Sequence, residues 1–188
     1  MYRLAAPTGS GKTITAGGFA IRHARAHGLR RVIVTVPFIS ITEQNAAQYQ
    51  RLLDEPGSPV VLEHHSGTDL DGSEAAASWW RKLAAENWDA PFIVTTTVQL
   101  FQSLFDHRPA AMRKLHRLAN SVIVLDEVQA LPDRLLIPIL SALRLLTERF
   151  GCTVLLASAT QPSYWSLAPF AGLRVHDVLN CWFAVRGS

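Results

Sequence analysis

The stretch that decides the fold is APTGSGKT, which runs from Ala6 to Thr13 near the start of the chain. A short apolar stretch at residues 2–5 precedes it, and a helical pattern begins at Thr13. A strand, a tight glycine-rich turn and the start of a helix are the context that a phosphate-binding loop requires. Gly9 and Gly11 allow backbone N–H groups to point at phosphate oxygens, and the helix N-terminus adds partial positive charge. We therefore predict a nucleotide-binding P-loop.

The loop also carries the side chains that nucleotide chemistry needs. Lys12 can reach the β- and γ-phosphates, and the hydroxyl of Thr13 can bind Mg²⁺. Ala6 stands where the usual pattern has its first glycine. A glycine-rich turn with a chance lysine is the alternative, and it leaves the flanking strand and helix patterns unexplained. The predicted nucleotide-binding residues are Pro7, Thr8, Gly9, Ser10, Gly11, Lys12 and Thr13.

Length and composition favour one globular domain. The chain has 188 residues, 48% of them hydrophobic, and contains no uninterrupted apolar stretch of membrane-spanning length. Because the loop follows Met1 so closely, we expect no signal peptide. Cys152 and Cys181 are too few for a disulfide framework, which predicts a reducing, cytoplasmic location and no membrane partner.

Charge is unevenly distributed along the chain, although the formal net charge is only +3. Up to Arg51, Lys and Arg residues greatly outnumber the single acid, Glu43, and acids then dominate from Asp54 to Asp89. Basic patches suit a nucleic-acid backbone, but a solvated helix face explains patches alone at least as well. The residues of a second basic cluster are Arg108, Arg113, Lys114 and Arg117.

Apolar β-branched segments alternate with helical patterns along the chain, and the predicted strands are apolar on both faces. This pattern predicts an α/β fold with a mostly parallel central sheet and helices on both faces. Ser40 with Glu43 reads as a capping box at the start of one helix, and Asp133 as the cap of another. The predicted strands cover 2–5, 31–36, 60–62, 92–95, 121–125 and 153–157, and the predicted helices cover 13–27, 40–53, 73–83, 98–105, 110–118 and 133–150.

Two acids follow a buried strand at the edge where parallel strands end. Asp126 comes directly after SVIVL, and a carboxylate there can hold Mg²⁺, while Glu127 can orient and deprotonate an attacking water. Ser158-Ala159-Thr160 follows another strand, TVLLA, and its hydroxyls can bond to the acidic loop. A surface acidic turn and a simple Ser/Thr turn are the alternatives. Because strand C-termini share one edge of a parallel sheet, we expect these groups to meet the P-loop.

Taken in order, APTGSGKT, DEVQ and SAT resemble motifs I, II and III of superfamily 2 helicases. The intervening sequence resembles the helicase part of the CRISPR-associated helicase-nuclease of type I systems, from about Leu4 to Pro162. The segments that carry this resemblance are VPFISITEQN (36–45), LEHHSG (62–67), FIVTTTVQLFQSLF (92–105), NSVIVLDEVQALP (120–132) and SATQP (158–162).

The resemblance implies a RecA-like P-loop NTPase lobe that uses ATP and Mg²⁺ to move along single-stranded DNA in antiviral defence. It also implies a CRISPR surveillance complex, or a chain carrying the second helicase lobe, as partner. Lys12 and Thr13 would bind phosphates and Mg²⁺, Asp126 the metal, and Glu127 would be the catalytic base. The residues implied to couple hydrolysis to movement are Gln129, Ser158 and Thr160, and those implied to contact DNA are Pro37, Phe38, Thr95, Thr96, Thr97 and Gln99.

The sequence differs from the family pattern in the domains that it contains. We expect residues 1–162 to be the ATP-binding lobe, truncated at its N-terminus, and 163–188 an irregular extension. The second lobe, which supplies the arginine finger, and the HD nuclease domain are absent from this sequence, and His176-Asp177 reads as a chance HD dipeptide. We therefore expect nucleotide binding with weak hydrolysis. A nucleotide-binding fragment without turnover and a lobe of another superfamily 2 DNA or RNA helicase remain alternatives.

Three smaller features have open interpretations. His64 and His65 with Asp69 and Asp71 match no zinc pattern and favour a polar loop. Trp79, Trp80 and Trp88 are expected mainly in the core rather than stacked on bases. The basic helix with Arg113, Lys114 and Arg117 fits a solvated face and a DNA contact equally well.

Overall fold

The computed structural model describes residues 1–67, 84–106, 108–160, 164–168 and 174–178. These residues form a seven-stranded sheet of order β3-β4-β2-β5-β6-β1-β7, in which neighbouring strands are parallel. The predicted parallel sheet is therefore confirmed. The strands are β1 (Tyr2–Ala5), β2 (Arg31–Val36), β3 (Val61–His64), β4 (Phe92–Thr96), β5 (Ser121–Leu125), β6 (Thr153–Ser158) and β7 (His176–Asp177).

Helices cover both faces of the sheet because its central strands are apolar on both sides. Alternate strand residues such as Val32 and Val124 pack with α1 and α2, while Ile33 and Ile123 pack with α3 and α5 on the other face. This alternation gives two core layers, as a parallel sheet requires. The helices are α1 (Lys12–His27), α2 (Ile39–Leu53), α3 (Thr97–Phe105), α4 (Pro109–Leu118) and α5 (Leu136–Arg149), and the predicted helix at 73–83 lies outside the described residues.

The capping box predicted at Ser40 is wrong. The helix begins one residue earlier, at Ile39, after Phe38 in extended conformation and without a side-chain cap. The carbonyl of Phe38 accepts hydrogen bonds from both the backbone N–H and the hydroxyl of Thr42. Ser40 therefore already lies inside the first turn, where it cannot act as the cap.

The cap predicted at Asp133 is also wrong. Asp133–Leu135 forms a short 3₁₀ turn, and α5 begins only at Leu136. Pro138 explains the shift, because proline has no N–H and is tolerated only in the first turn of a helix. A helix starting directly after Asp133 would place Pro138 where an N–H must bond to a carbonyl.

Parts of the described segment after residue 163 form regular structure, including a 3₁₀ turn at Tyr164–Ser166. His176–Asp177 forms β7 beside β1, and Asp177 pairs with Arg3, with 3.3 Å between its Oδ2 and the Arg3 Nε. This HD dipeptide therefore forms the strand at one edge of the sheet. No helix within the described residues is long and apolar enough to cross a membrane.

Two histidines are expected to make the fold sensitive to acid. Burial, together with nearby positive charge, lowers the pKa of His23 and of His64 to about 4. Since the unfolded value is about 6.5, the unfolded chain takes up protons first as pH falls. The free energy of unfolding should therefore be constant above pH 6.5 and decrease towards pH 4, by on the order of 1–2 kcal/mol at pH 5 after discounting for solvent screening.

Urea denaturation at pH 7 and pH 5 checks this prediction. His23→Gln and His64→Gln should each flatten the pH dependence, whereas His116→Gln, at an exposed position on α4, should leave it unchanged. Equal pH dependence in all four proteins would contradict it.

Candidate nucleotide site

The P-loop connects β1 to α1 in the conformation that its glycines permit. Gly9 and Gly11 have φ values of 80° and 78°, in the left-handed region that favours glycine. Gly11 is also the N-cap of α1, so Lys12 begins the helix. Pro7, Thr8 and their neighbours up to Gly11 are exposed, and the loop therefore presents its backbone to an incoming ligand.

The lysine of the loop meets both acids that follow β5. Lys12 Nζ lies 3.1 Å from Asp126 Oδ1 and 2.5 Å from Glu127 Oε1. Lys12 and Asp126 are only 7% and 5% exposed, while Glu127 is half-buried. Glu127 adopts a left-handed backbone with φ 50°, a turn that separates the directions of the two adjacent carboxylates. The structure thus brings the three predicted catalytic side chains into one cluster.

Burial and charge act against each other in this cluster. Burial alone would lower the pKa of Lys12, but its hydrogen bond to Glu127 and the charge of Asp126 raise it overall. Burial raises the pKa of Asp126 despite the nearby lysine. Burial also opposes ionisation of Glu127, yet its hydrogen bonds to Lys12 and Gln129 lower its pKa. Glu127 is consequently held as a carboxylate, the form that a general base needs.

A metal ion would find oxygen ligands of the right kind here. Lys12 and the backbone N–H of Glu127 both contact Oδ1 of Asp126, which leaves Oδ2 available. The hydroxyl of Thr13 is half-buried at the start of α1. A carboxylate and a hydroxyl are ligands that suit Mg²⁺, so the residues fit the predicted metal.

The predicted coupling residues connect this cluster to β6. The side-chain amide of Gln129 donates a short hydrogen bond to Oε2 of Glu127. The hydroxyl of Ser158 donates to Oε1 of Gln129 at 2.5 Å and also contacts the carbonyl oxygen of Thr160. A continuous chain of contacts therefore runs from Lys12 through Glu127 to the end of β6.

Residues 2–166 match the DEAD/DEAH box helicase family. The chain belongs to that family. It is 28% identical over 200 aligned residues to the CRISPR-associated nuclease/helicase Cas3 of Haloferax volcanii, an alignment that covers 95% of this chain and 21% of that protein. The chain therefore spans about a fifth of the length of this curated relative.

Solved structures agree with this membership. The chain is 26% identical to T. fusca Cas3 in a crystal structure with ATP, with a TM-score of 0.68 over 83% of this chain and 18% of that one. The helicase MrfA, bound to DNA and AMPPNP, shares 16% identity with a TM-score of 0.63 over 94% of this chain and 24% of that one, which supports the fold alone. The RecA-like fold and the resemblance to the CRISPR-associated helicase-nuclease are both confirmed.

The residues predicted to contact DNA differ in how exposed they are to a ligand. Thr95 is 0% exposed, and its hydroxyl donates to the carbonyl of His64 at 2.6 Å. The hydroxyl of Thr96 accepts from the N–H of Gln99 as the N-cap of α3. Thr97 is buried, Pro37 and Gln99 are half-buried, and Phe38 is 61% exposed. The side chains open to a ligand are therefore Phe38, Pro37 and Gln99, while the buried threonines shape the backbone.

Tyr49 is a site residue that the sequence reasoning missed. Its hydroxyl donates to the backbone carbonyl of Thr13 at 2.6 Å, and its ring packs on Phe92. Gly17 makes room for this ring, since a Cβ on Gly17 would lie 2.4 Å from a Tyr49 ring carbon. Tyr49 thus links α2, which begins beside Phe38, to the first turn of α1. The Gly17-Gly18 pair inside a helix was the only sequence signal of such a close approach.

Gly17→Ala is expected to destabilise the fold, and Gly18→Ala is the matched control. The added methyl at Gly17 meets the Tyr49 ring, which should cost about 1–3 kcal/mol. Nothing lies within 4 Å of a Cβ on Gly18, so alanine there should stabilise the helix by up to about 1 kcal/mol. Urea denaturation of both variants checks this. The Gly17 cost should shrink in a Tyr49→Leu background, and an unchanged cost would contradict the assigned contact.

His65 belongs to a hydrogen-bonded cluster formed largely within the segment LEHHSG (62–67). Its Nε2 lies 2.9 Å from Glu63 Oε1 and 4.0 Å from Glu43 Oε1, and its Nδ1 accepts from the N–H of Gly67. Because Nδ1 is an acceptor, the ring proton of the neutral imidazole is on Nε2, where a metal would have to bind. Asp69 and Asp71 lie outside the described residues. The described contacts fit the polar-loop prediction.

Trp88 lies in the core as predicted, with 0% exposure, whereas Trp79 and Trp80 lie outside the described residues.

In the basic helix α4, Arg117 pairs with Asp89 at 3.1 Å, and Arg113 is exposed. Arg108 of the same basic cluster pairs with Asp106, so two of its four members are engaged by acids and Arg113 is an exposed member.

Proposed function

We propose that this chain is the ATP-binding lobe of a CRISPR-associated, ATP-dependent helicase or translocase that acts on single-stranded DNA in cytoplasmic antiviral defence. The observation that carries the proposal is the contact of Lys12 with Asp126 and Glu127, which joins motif I to motif II. The similarity to Cas3 supports the CRISPR context.

The side chains suggest a sequence of movements on nucleotide binding. Lys12 would leave the two carboxylates for the β- and γ-phosphates, and Thr13 with Asp126 would hold Mg²⁺, which neutralises phosphate charge when bound. Glu127, released from Lys12, would orient a water molecule and accept its proton. Gln129 bonds to Glu127 and to Ser158, so it would transmit the change to β6.

The lobe 1–162 would act with a second lobe on the same or another chain. A second lobe supplies an arginine finger, an element worth about 10³–10⁵ in rate in other P-loop enzymes. Turnover by this chain alone should therefore be slow. The alternative of nucleotide binding without turnover rests on the same consideration.

Steady-state ATP hydrolysis with oligothymidylate, oligouridylate or no nucleic acid tests the proposal. Stimulation by DNA that Lys12→Ala removes supports a DNA motor. Stronger stimulation by RNA would favour another superfamily 2 helicase. Nucleotide binding without turnover, even with a second-lobe chain added, would favour the binding fragment. Retention on a purified guide-RNA surveillance complex with displaced DNA tests the proposed partner.

A further inference from the structure

A cavity of about 430 Å³, lined mainly by residues with polar or charged side chains, lies apart from the nucleotide site. It is bounded by the end of β3, by the first turns of α3 and by α4, so it opens near the edge of the sheet where strands end. Its lining includes His64, Ser66, Gln99, Gln102, Arg113 and Lys114. Gln99 is one of the predicted DNA contacts, and Arg113 and Lys114 belong to the basic helix, whose sequence fits both a DNA contact and a solvated face.

The buried cation of this cavity is Lys114. It is only 9% exposed, and its Nζ lies 5.5 Å from the centre of the Trp88 ring. Within the described parts of the chain, no carboxylate lies in ion-pair distance of its ammonium group. Burial and the charge of Arg113 lower the pKa of Lys114, and Glu86 offsets this only in part. An ammonium group held this way is stabilised by an anion that enters the cavity.

Among the charged groups of the lining, cations outnumber acids. The indole N–H of Trp88 donates to Nδ1 of His64 at 3.2 Å, so the neutral His64 ring carries its proton on Nε2. Of the two acids in the lining, Asp106 is engaged by Arg108 at 2.6 Å, which leaves Glu86 as the opposing charge. Lys114, Arg113 and the His64 N–H then outnumber it, and the cavity favours an anion.

The position of the cavity beside the edge of the sheet where strands end indicates which anion the cavity binds. Gln99 lines the cavity and also lies in the segment predicted to touch DNA, within the first turn of α3. We infer that this cavity binds a backbone phosphate of a single-stranded nucleic acid, with Lys114 as its cation. The inference rests on the proposed function, because a strand must first reach Gln99.

The salt dependence of binding tests the inference. Each phosphate contact with a single strand contributes about 0.7 to the slope of log K against log salt. Lys114→Met keeps the apolar stem over Trp88, and it should reduce this slope by about 0.7 for both labelled oligothymidylate and oligouridylate. Arg25→Met, at an exposed position on α1, is the matched control and should leave the slope unchanged.

A second variant guards against misfolding of Lys114→Met. Gln102 is exposed at the cavity mouth, so Gln102→Glu adds a negative charge without disturbing the core. It should weaken binding by about tenfold or more at low salt. A wild-type slope in Lys114→Met together with wild-type affinity of Gln102→Glu at low salt overturns the inference while leaving DNA-stimulated ATP turnover, and hence the proposed function, intact. Stabilisation of the wild type but not Lys114→Met by inorganic phosphate, without strand binding, would indicate a free-anion site and also overturn it.

Discussion

Lys12→Ala is expected to lower ATP turnover by about 10²–10³-fold, the usual cost of removing one positioned charge from a transition state. The ammonium group of Lys12 stands at the helix N-terminus, where the phosphates are expected to bind, and it is almost fully buried. Alanine removes that charge and also leaves Asp126 buried without its cation. Affinity for a non-hydrolysable ATP analogue should therefore fall together with the rate.

The control must separate this effect from a general loss of charge or stability. Arg25→Ala removes an exposed cation from the last turn of the same helix and should leave turnover and nucleotide affinity unchanged. Since breaking a buried ion pair costs about 3–5 kcal/mol, thermal unfolding of both variants must be recorded with saturating Mg²⁺. A folded Lys12→Ala protein with wild-type nucleotide affinity would contradict the assigned site.

The parallel sheet could be predicted because its signals are local and strong. Residues 31–36, RVIVTV, and 121–125, SVIVL, are short, β-branched and buried on both faces, and both form strands with the predicted bounds. The convergence of Lys12 and Asp126 followed from topology alone, since both come after parallel strands that end at one edge. Their catalytic and metal-binding roles stay predictions.

Helix starts were less predictable, because several residues in sequence can act as caps and the tertiary structure selects among them. Ser40 and Asp133 both fit a cap pattern, yet the chain enters α2 through extended Phe38 and enters α5 where Pro138 permits. A strand boundary shows the same limit, since β3 is Val61–His64 rather than residues 60–62.

The long-range contacts of the site could not be predicted from the sequence, for a related reason. Tyr49 lies within the predicted helix 40–53 and had no predicted role, and only the folded chain shows its hydroxyl on the Thr13 carbonyl. Thr95 looked like a DNA contact, but its hydroxyl is used to bind the end of β3. The partner of a side chain across the sheet depends on strand register and on packing, and neither can be predicted from a single sequence.

Glu127→Gln is expected to separate ATP binding from ATP hydrolysis. An amide cannot accept the proton of the attacking water, and loss of a general base typically costs about 10²–10⁴-fold in rate. The amide keeps the size of the side chain and an oxygen that can still accept from Lys12, so affinity for the ATP analogue should stay within about threefold of wild type, less than 1 kcal/mol. Lys12→Ala should lose both properties, and Glu127→Gln only hydrolysis.

This contrast remains measurable even if this chain hydrolyses ATP slowly, because the binding assay needs no catalysis. Glu55→Gln, an exposed carboxylate in the turn after α2, is the matched control and should change neither quantity. The assigned base fails if a folded Glu127→Gln protein hydrolyses ATP at the wild-type rate with oligothymidylate present. It also fails if Glu127→Gln and Lys12→Ala lose nucleotide affinity to the same extent, because Glu127 would then act in binding and not in proton transfer.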